Sequence, residues 1–251
     1  MLSRDMDGVP LPRLHFTPRA GEAGEIIGVA RSGGRYQLFY ETPGGWGQAS
    51  SDDLVMWWEQ PVADPLPEQF RSAPPSVDSP SALTPRDGAR GPQLFPLDGV
   101  WVLLADDSYA VGDYDGSTFT PHSRGVFGRG RLGRVVTFAD AAGRRCALAR
   151  LPGPAGAFSL PWVLSVRDQT LLATPHPHLD PYLTSGITGL TATGGEVRDN
   201  GELILRMPAG GETLVVTDAD IVEVTVEGVS GVGAARRRIP GFSGVRVARF
   251  A

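Results

Sequence analysis

Lysine is missing from this chain: all 23 basic side chains are arginine. That bias reads as the signature of a GC-rich genome and carries no functional weight. Cysteine is almost missing too. A single residue, Cys146, excludes an internal disulfide and a zinc cluster, so the fold must hold by packing. Within RRCALA it reads as a small buried strand residue and not as a nucleophile. Histidine is scarce: His122, His176 and His178 do not stand at metal-ligand spacing with carboxylates, and Pro-His-Pro-His reads as a turn, so no metal is expected. No apolar run approaches the roughly 18 residues of a membrane span, which excludes a membrane partner of that kind. The opening residues MLSRDMDGVPLPRL lack the apolar centre of a secretory signal, and the cytoplasm is the expected location. Positive charge is not in excess. A net charge of −5 leaves no electrostatic footprint for general nucleic-acid binding. The glycine-rich loops follow no phosphate-cradling or dinucleotide pattern, so no cofactor is implied.

What is present is turn chemistry. Glycine at 33 and proline at 22 among 251 residues exceed the usual shares of roughly 7 % and 5 %. Turn dipeptides separate short alternating runs throughout: Gly33-Gly34 before RYQLFYE, Asp98-Gly99 before VWVLLA, Asp115-Gly116 before STFTP, Asn200-Gly201 before ELILRM. In RYQLFYE, Tyr36, Leu38 and Tyr40 share one face at period two. The best helical candidate, Asp52 to Trp58, is barely two turns long. The pattern is all-β. Pro61 to Arg90 is proline-rich and should run over the surface in extended segments. Leu151 to Ala157, LPGPAGA, precedes a change from aromatic to aliphatic strands. That change places a domain boundary there, giving domains 1–157 and 158–251.

One block carries a specific pattern. His15-Phe16-Thr17-Pro18, Gly34-Arg35-Tyr36-Gln37-Leu38-Phe39-Tyr40, and Trp46-Gly47-Gln48-Ala49 with Ser51, Asp53-Leu54-Val55 and Trp57 follow one another at close intervals. Together they resemble the opening of glycoside hydrolase family 32, the invertases, levanases and sucrose-6-phosphate hydrolases, with their H-F-x-P, G-x-Y-H-L-F-Y-Q and W-G-H-A-x-S-x-D-L-V-x-W. Downstream, Pro92 to Gly99 is similar to the family's P-D-L-F-P-L-D-G, Tyr109 to Pro121 to Y-x-V-G-x-F-D-G-x-x-F-x-P, Phe158 to Pro161 to the start of L-S-L-P-R-E-L, and Asp220 to Val224 to D-x-S-x-x-E-V-F. The resemblance implies a five-bladed β-propeller followed by a β-sandwich. Blades take about 40 to 50 residues each, and the segment before Pro161 is too short for five. The expected fold is therefore a truncated propeller with a small C-terminal sandwich. Its ring would be tightened, or sealed by the sandwich or by another subunit of a homo-oligomer.

The departures from the pattern bear on chemistry. Retaining glycoside hydrolysis needs a nucleophilic carboxylate and a protonatable carboxylic acid about 5 to 5.5 Å apart. The family's W-M-N-D-P-N-G reads Glu22 to Gly28 here, so Glu25 stands in the nucleophile's column with one methylene too many. Misplacement by about 1 Å can cost a hundredfold in rate. W-E-C-P reads Ala89 to Pro92, so Arg90 stands in the acid/base column, and a guanidinium cannot exchange protons near neutral pH. The segment R-D-P has no counterpart.

Each position admits a plain reading and a sharper one. Glu25 is either an exposed or ion-paired loop residue or a nucleophile. Arg90 is either a solvated arginine or the partner of Glu25 across a closed pocket. Arg124, Arg129, Arg131 and Arg134 form either a flexible basic loop or an anion site for a phosphosugar or carboxylate, with Arg129 and Arg131 as its fork. Trp46, Trp57 and Trp58 could stack on a sugar ring, and Trp46, Gln48 and Trp58, with Arg90, are candidate ligand contacts; the plain reading packs Trp46 and Trp57 internally and leaves Trp58 the free aromatic. Asp106 and Asp107 are adjacent, point to opposite faces and cannot pair with each other. Three functions follow. The first is a non-catalytic recognition protein for a small saccharide or phosphosugar. The second is a surviving β-fructosidase using Glu25 with an acid drawn from Asp98, Asp106 or Asp107. The third is an assembly protein whose sandwich is the working part.

Overall fold

The structure is a computed structural model, and it describes residues 12–18, 23–62, 66–70, 92–130, 132–151, 156–183, 189–229, 232–236 and 245–250. Arg90, Arg131 and most of the proline-rich stretch lie outside these residues. Strands dominate. The first sheet runs β1 (Ile26–Ser32), β2 (Arg35–Thr42), β3 (Gly45–Ser51) and β4 (Trp58–Gln60) in sequence order. The second repeats that plan with β5 (Gln93–Leu97), β6 (Val100–Ala105), β7 (Ser108–Tyr114) and β8 (Phe119–Val126). A short strand, β9 (Gly128–Gly130), follows. The third sheet holds β10 (Val135–Ala139), β11 (Arg145–Leu151), β13 (Trp162–Arg167) and β14 (Thr170–Pro175), with β12 (Ala157–Phe158) paired to β11. A fourth comprises β15 (Leu190–Thr193), β16 (Glu196–Asp199) and β17 (Glu202–Arg206). The fifth is ordered β21 (Val245–Phe250), β18 (Thr213–Asp218), β19 (Ile221–Val226), β20 (Val232–Arg236) and β9.

The hairpins form where the turn dipeptides place them. Asp98-Gly99 and Asn200-Gly201 have φ of 50° and 83°, and of 48° and 82°. Two successive positive φ values match the right-handed strand twist and suit Asn or Asp followed by Gly. Asp52 to Trp58 does not form the helix its length allowed. Leu54 takes φ 67°, a left-handed conformation that no α-helix continues. Side chains replace the helical bonds: Ser51 Oγ accepts from the Leu54 N–H at 2.8 Å, and Asp53 Oδ1 accepts from Val55 and Met56 at 2.9 and 2.8 Å. Pro-His-Pro-His likewise enters a short 3₁₀ helix, Pro177–Tyr182.

The third sheet is central because both of its faces are covered. Val136, Phe138, Cys146 and Leu148 pack with Tyr36, Leu38 and Tyr40 of the first sheet. Val135, Ala147, Ala149 and Leu151 pack with Phe95, Val102 and Val111 of the second. A strand buried on both sides reads as an unbroken apolar run, which is why RCALARL shows no polar alternation. Strand pairing crosses the expected boundary at 157/158. β11 pairs with β13 across it, Cys146 opposite Val163 and Ala147 opposite Trp162. β9, from before it, pairs in parallel with β20.

Segments about two hundred residues apart meet at a buried charge cluster. His15 lies between Asp218, at the end of β18, and Glu223 on β19, with ring nitrogens 3.0 and 3.1 Å from the two carboxylates. Asp218 also accepts the backbone N–H groups of Arg13, Leu14 and His15 at 2.8, 2.7 and 2.9 Å. Glu223 accepts from the Leu160 N–H at 3.0 Å and from the Trp162 indole at 2.8 Å. Burial alone would push the His15 pKa down, but the hydrogen bonds and charges of the two acids raise it to about 9. The ring is therefore an imidazolium at neutral pH, and both of its N–H groups donate. Burial pushes Asp218 up, yet the bond to His15 leads a set that holds it below the ordinary carboxylate value.

Removing the cation leaves two buried carboxylates uncompensated. His15→Ala should lower the unfolding free energy by about 3–5 kcal/mol, measured by urea denaturation. The pH dependence follows in sign. The raised pKa of His15 contributes stability fully present below its unfolded value of 6.5 and lost as pH rises through about 9. The lowered pKa of Asp218 contributes stability present above 3.8 and lost on further acidification. A melting temperature that holds in mildly acidic buffer and falls between pH 7 and 9.5 in wild type, but much less in His15→Ala, is the expected result.

Candidate functional site

β10 is an edge strand of the third sheet, and an edge presents backbone groups that need partners. Side chains from the other sheets supply them. The Gln93 carboxamide, at the start of β5, donates to the Val135 carbonyl at 2.7 Å and accepts from the Thr137 N–H at 2.9 Å. One amide group thus stands in for a residue of a neighbouring strand. Glu25, immediately before β1, accepts from the Arg134 N–H at 2.8 Å, just before β10 begins. The carboxylate lies flat against Gly133, where an added Cβ would stand 3.0 Å from both of its oxygens. Below it the chain is fixed as well: the Arg150 guanidinium donates to the Ala23 carbonyl at 2.9 Å, and Glu25 continues the β1–β2 pairing by accepting from the Glu41 N–H through its own carbonyl at 2.9 Å. The starts of β1, β5 and β10 therefore converge at one point, and Glu25 and Gln93 join them.

The remaining sequence-predicted residues spread over other places. Trp46 and Gln48 stand on β3 and Trp58 on β4, on the face of the first sheet turned away from its core. Trp46 packs on Phe39, with ring centroids 5.8 Å apart, and Trp57 donates its indole N–H to the Leu54 carbonyl at 2.9 Å. Trp58 is 47 % exposed. Arg124, Arg129 and Arg134 do not form one loop. Arg124 lies on β8, Arg129 is exposed on β9 in the fifth sheet, and Arg134 precedes β10. Arg90 and Arg131 lie outside the described residues, and so does the expected Glu25–Arg90 pair. Of the three candidate acids, Asp98 sits at the far end of β5 from Gln93 and accepts from the Val166 N–H at 2.7 Å. Asp106 and Asp107 form the β6–β7 turn, with Asp106 at φ 51°.

A cluster that sequence reasoning passed over joins Asp140, Cys146 and His176, whose ligating atoms lie within 4.8 Å of one another. The Arg144 guanidinium, 2.7 Å from Asp140, balances the carboxylate's charge. The backbone N–H of His178 donates to His176 Nδ1 at 3.2 Å, and His176 Nε2 stands 3.1 Å from Asp140 and 3.2 Å from the Arg144 guanidinium. Burial pushes the Cys146 thiol up to about 12. No helix among the described residues is long and apolar enough to cross a membrane.

Among solved structures, the β-fructofuranosidase of Bombyx mori, determined in complex with sucrose, superposes with a TM-score of 0.66 at 15 % identity, covering 95 % of this chain and 93 % of that one. A glycoside hydrolase family 32 protein from Bifidobacterium adolescentis gives 0.61 at 14 % identity, covering 98 % and 80 %. The chain has the fold of glycoside hydrolase family 32. An exo-inulinase from Aspergillus awamori gives 0.60 at 14 % identity, over 94 % and 95 % of the two chains. Sequence likeness is local. A levanase of Bacillus sp. (strain L7) is 37 % identical over 54 residues, and an extracellular exo-inulinase of Aspergillus niger is 40 % identical over 57. These matches span 22 % and 20 % of this chain but only 6 % and 11 % of those enzymes. No protein-family model matches the chain.

The family 32 motifs in this chain are largely structural. H-F-x-P delivers His15 to Glu223, and S-x-D-L-V-x-W builds the turn at Leu54. Asp53 then accepts from the Tyr182 hydroxyl at 2.7 Å. Burial pushes Asp53 up, but the Met56 N–H and then the Tyr182 hydroxyl lead the bonds that hold its carboxyl below the ordinary range. F-S-L-P places Ser159 so that its hydroxyl accepts from the Ala149 N–H at 2.9 Å. Gln93, where the family pattern has Asp, was the signal that sequence reasoning overlooked: an amide offers a donor and an acceptor together, as a strand edge requires. Gln93→Leu should lose about 1–3 kcal/mol by stranding the Val135 carbonyl and the Thr137 N–H. Glu25→Ala should lose a similar amount, whereas Glu25→Gln, which keeps an acceptor for the Arg134 N–H, should lose less. Denaturant midpoints for the three variants check this order.

Proposed function

We propose that this chain is a family 32-like protein in which the axial catalytic pocket has become part of the scaffold, and that it serves as a non-catalytic carbohydrate-recognition protein. On this reading the first three sheets are the blades of a shortened propeller, and the fourth and fifth form the C-terminal sandwich. One observation carries it. The carboxylate in the nucleophile's column, Glu25, has its Oε2 engaged by the Arg134 N–H and lies against Gly133, which fixes it beside the start of β10. In-line attack needs a lone pair aimed at a reacting atom about 3–3.5 Å away. The partner acid is undermined by its column as well, since Arg90 stands there and an arginine gives no proton near neutral pH. The ligand proposed is a small saccharide or phosphosugar, the class to which the sucrose of the Bombyx mori complex belongs.

The reading is tested by incubating the protein with sucrose, levan, inulin and sucrose 6-phosphate and measuring released fructose. No release above buffer is expected. Turnover that disappears in Glu25→Gln would overturn the proposal and restore a hydrolase with Glu25 as nucleophile.

A further inference from the structure

The face of the first sheet turned away from its core has a composition that stability does not explain. Strand register fixes its members: Gln37 stands opposite Ser50, Phe39 opposite Gln48, Ser50 opposite Trp58 and Gln48 opposite Gln60. At the end near β1 this face is closed by aromatic packing. Gly28 has no Cβ because the Phe70 ring occupies that space, 2.2 Å from where the atom would be, and Phe70 and Phe39 lie 5.2 Å apart between centroids. At the end near β4 the character changes to amides, a hydroxyl and an indole. Gln48 donates to the Gln37 side-chain carbonyl at 3.0 Å, but its own Oε1 is buried without a partner, and so is the Ser50 hydroxyl oxygen two residues on. Ser50 is only 2 % exposed, while its cross-strand neighbour Trp58 is 47 % exposed. Arg35 holds Trp58 from one side, its guanidinium carbon 5.8 Å from the ring, and is itself fixed by Asp52 at 2.7 Å.

An unpaired buried polar atom is costly, and two neighbouring ones beside an exposed, oriented indole form a recognisable set. Polar groups without protein partners await donors from outside, either directly or through one ordered water. An indole presents an apolar face with a polar tip. A sugar ring matches both: its C–H face covers an aromatic plane while its hydroxyls supply hydrogen bonds at the rim. We infer that the β3–β4 half of this face, centred on Trp58, Gln48 and Ser50, is a binding surface for a neutral saccharide, separate from the axial point at Glu25. The ligand class rests on the recognition reading above, whereas the location rests on the sheet alone.

The probes are sucrose and a soluble inulin-type oligosaccharide, with cellobiose as a glucose-only arm. Binding is read by calorimetry and by the tryptophan emission of the full chain, and released fructose is measured separately in the same samples, so that failure of this inference and failure of the non-catalytic reading give different signals. Wild type should bind at least one probe at millimolar concentration with a shift in emission. Trp58→Ala should weaken that binding roughly tenfold or more with an unchanged melting temperature, and Trp58→Phe should recover part of the loss. Gln48→Ala should weaken it in the same direction. Absence of heat and of an emission change with all three probes overturns the inference, and so does binding that survives Trp58→Ala.

Discussion

An imidazolium between two buried carboxylates holds this molecule in one piece. His15 brings the N-terminal segment to β18 and β19, and Glu223 reaches on to the start of the third sheet through Leu160 and Trp162. Residues more than two hundred positions apart are fixed by a single side chain with two donors. Buried charge is expensive to desolvate, and it is tolerated here because every oxygen involved has a donor. The order of the sheets depends on it, since the third sheet lies between the first and second and rests on the fifth through the same residues.

A second device covers backbone groups that strand pairing leaves open. Strand edges invite pairing with other chains, and here they are covered by side chains that imitate backbone. Gln93 supplies a donor and an acceptor to β10, and Glu25 supplies an acceptor to Arg134 just before it. In a family 32 enzyme the column of Glu25 serves chemistry. In this chain one oxygen of that carboxylate accepts the backbone N–H of Arg134, which fixes the side chain beside the start of β10. The likeness to family 32 persists in the motifs that assemble the scaffold.

Much of this was legible in the sequence, and for stated physical reasons. Hairpins at Asp98-Gly99 and Asn200-Gly201 follow from positive-φ chemistry. The burial of Cys146 follows from a run of apolar strand residues, and the outward position of Trp58 from its place beyond the packed tryptophans. What misled was any inference that needed neighbours. Asp52 to Trp58 has helical composition, but Ser51 and Asp53 capture the backbone donors first. Leu151 to Ala157 looks like a linker, yet the strands on either side of it pair. The arginine run looks like one basic loop, but Arg124 lies on β8, Arg129 on β9 and Arg134 before β10.

The sequence by itself determined the all-β class and the turn positions, because each depends on local backbone preference. Only the tertiary structure decided the rest: that His15 meets Asp218 and Glu223, that Gln93 and Glu25 cap the same strand, and that Gln48 and Ser50 are left unpaired beside Trp58. Those are contacts between distant strands. Their partners are chosen by which sheet packs on which, and no local pattern in the chain records that choice.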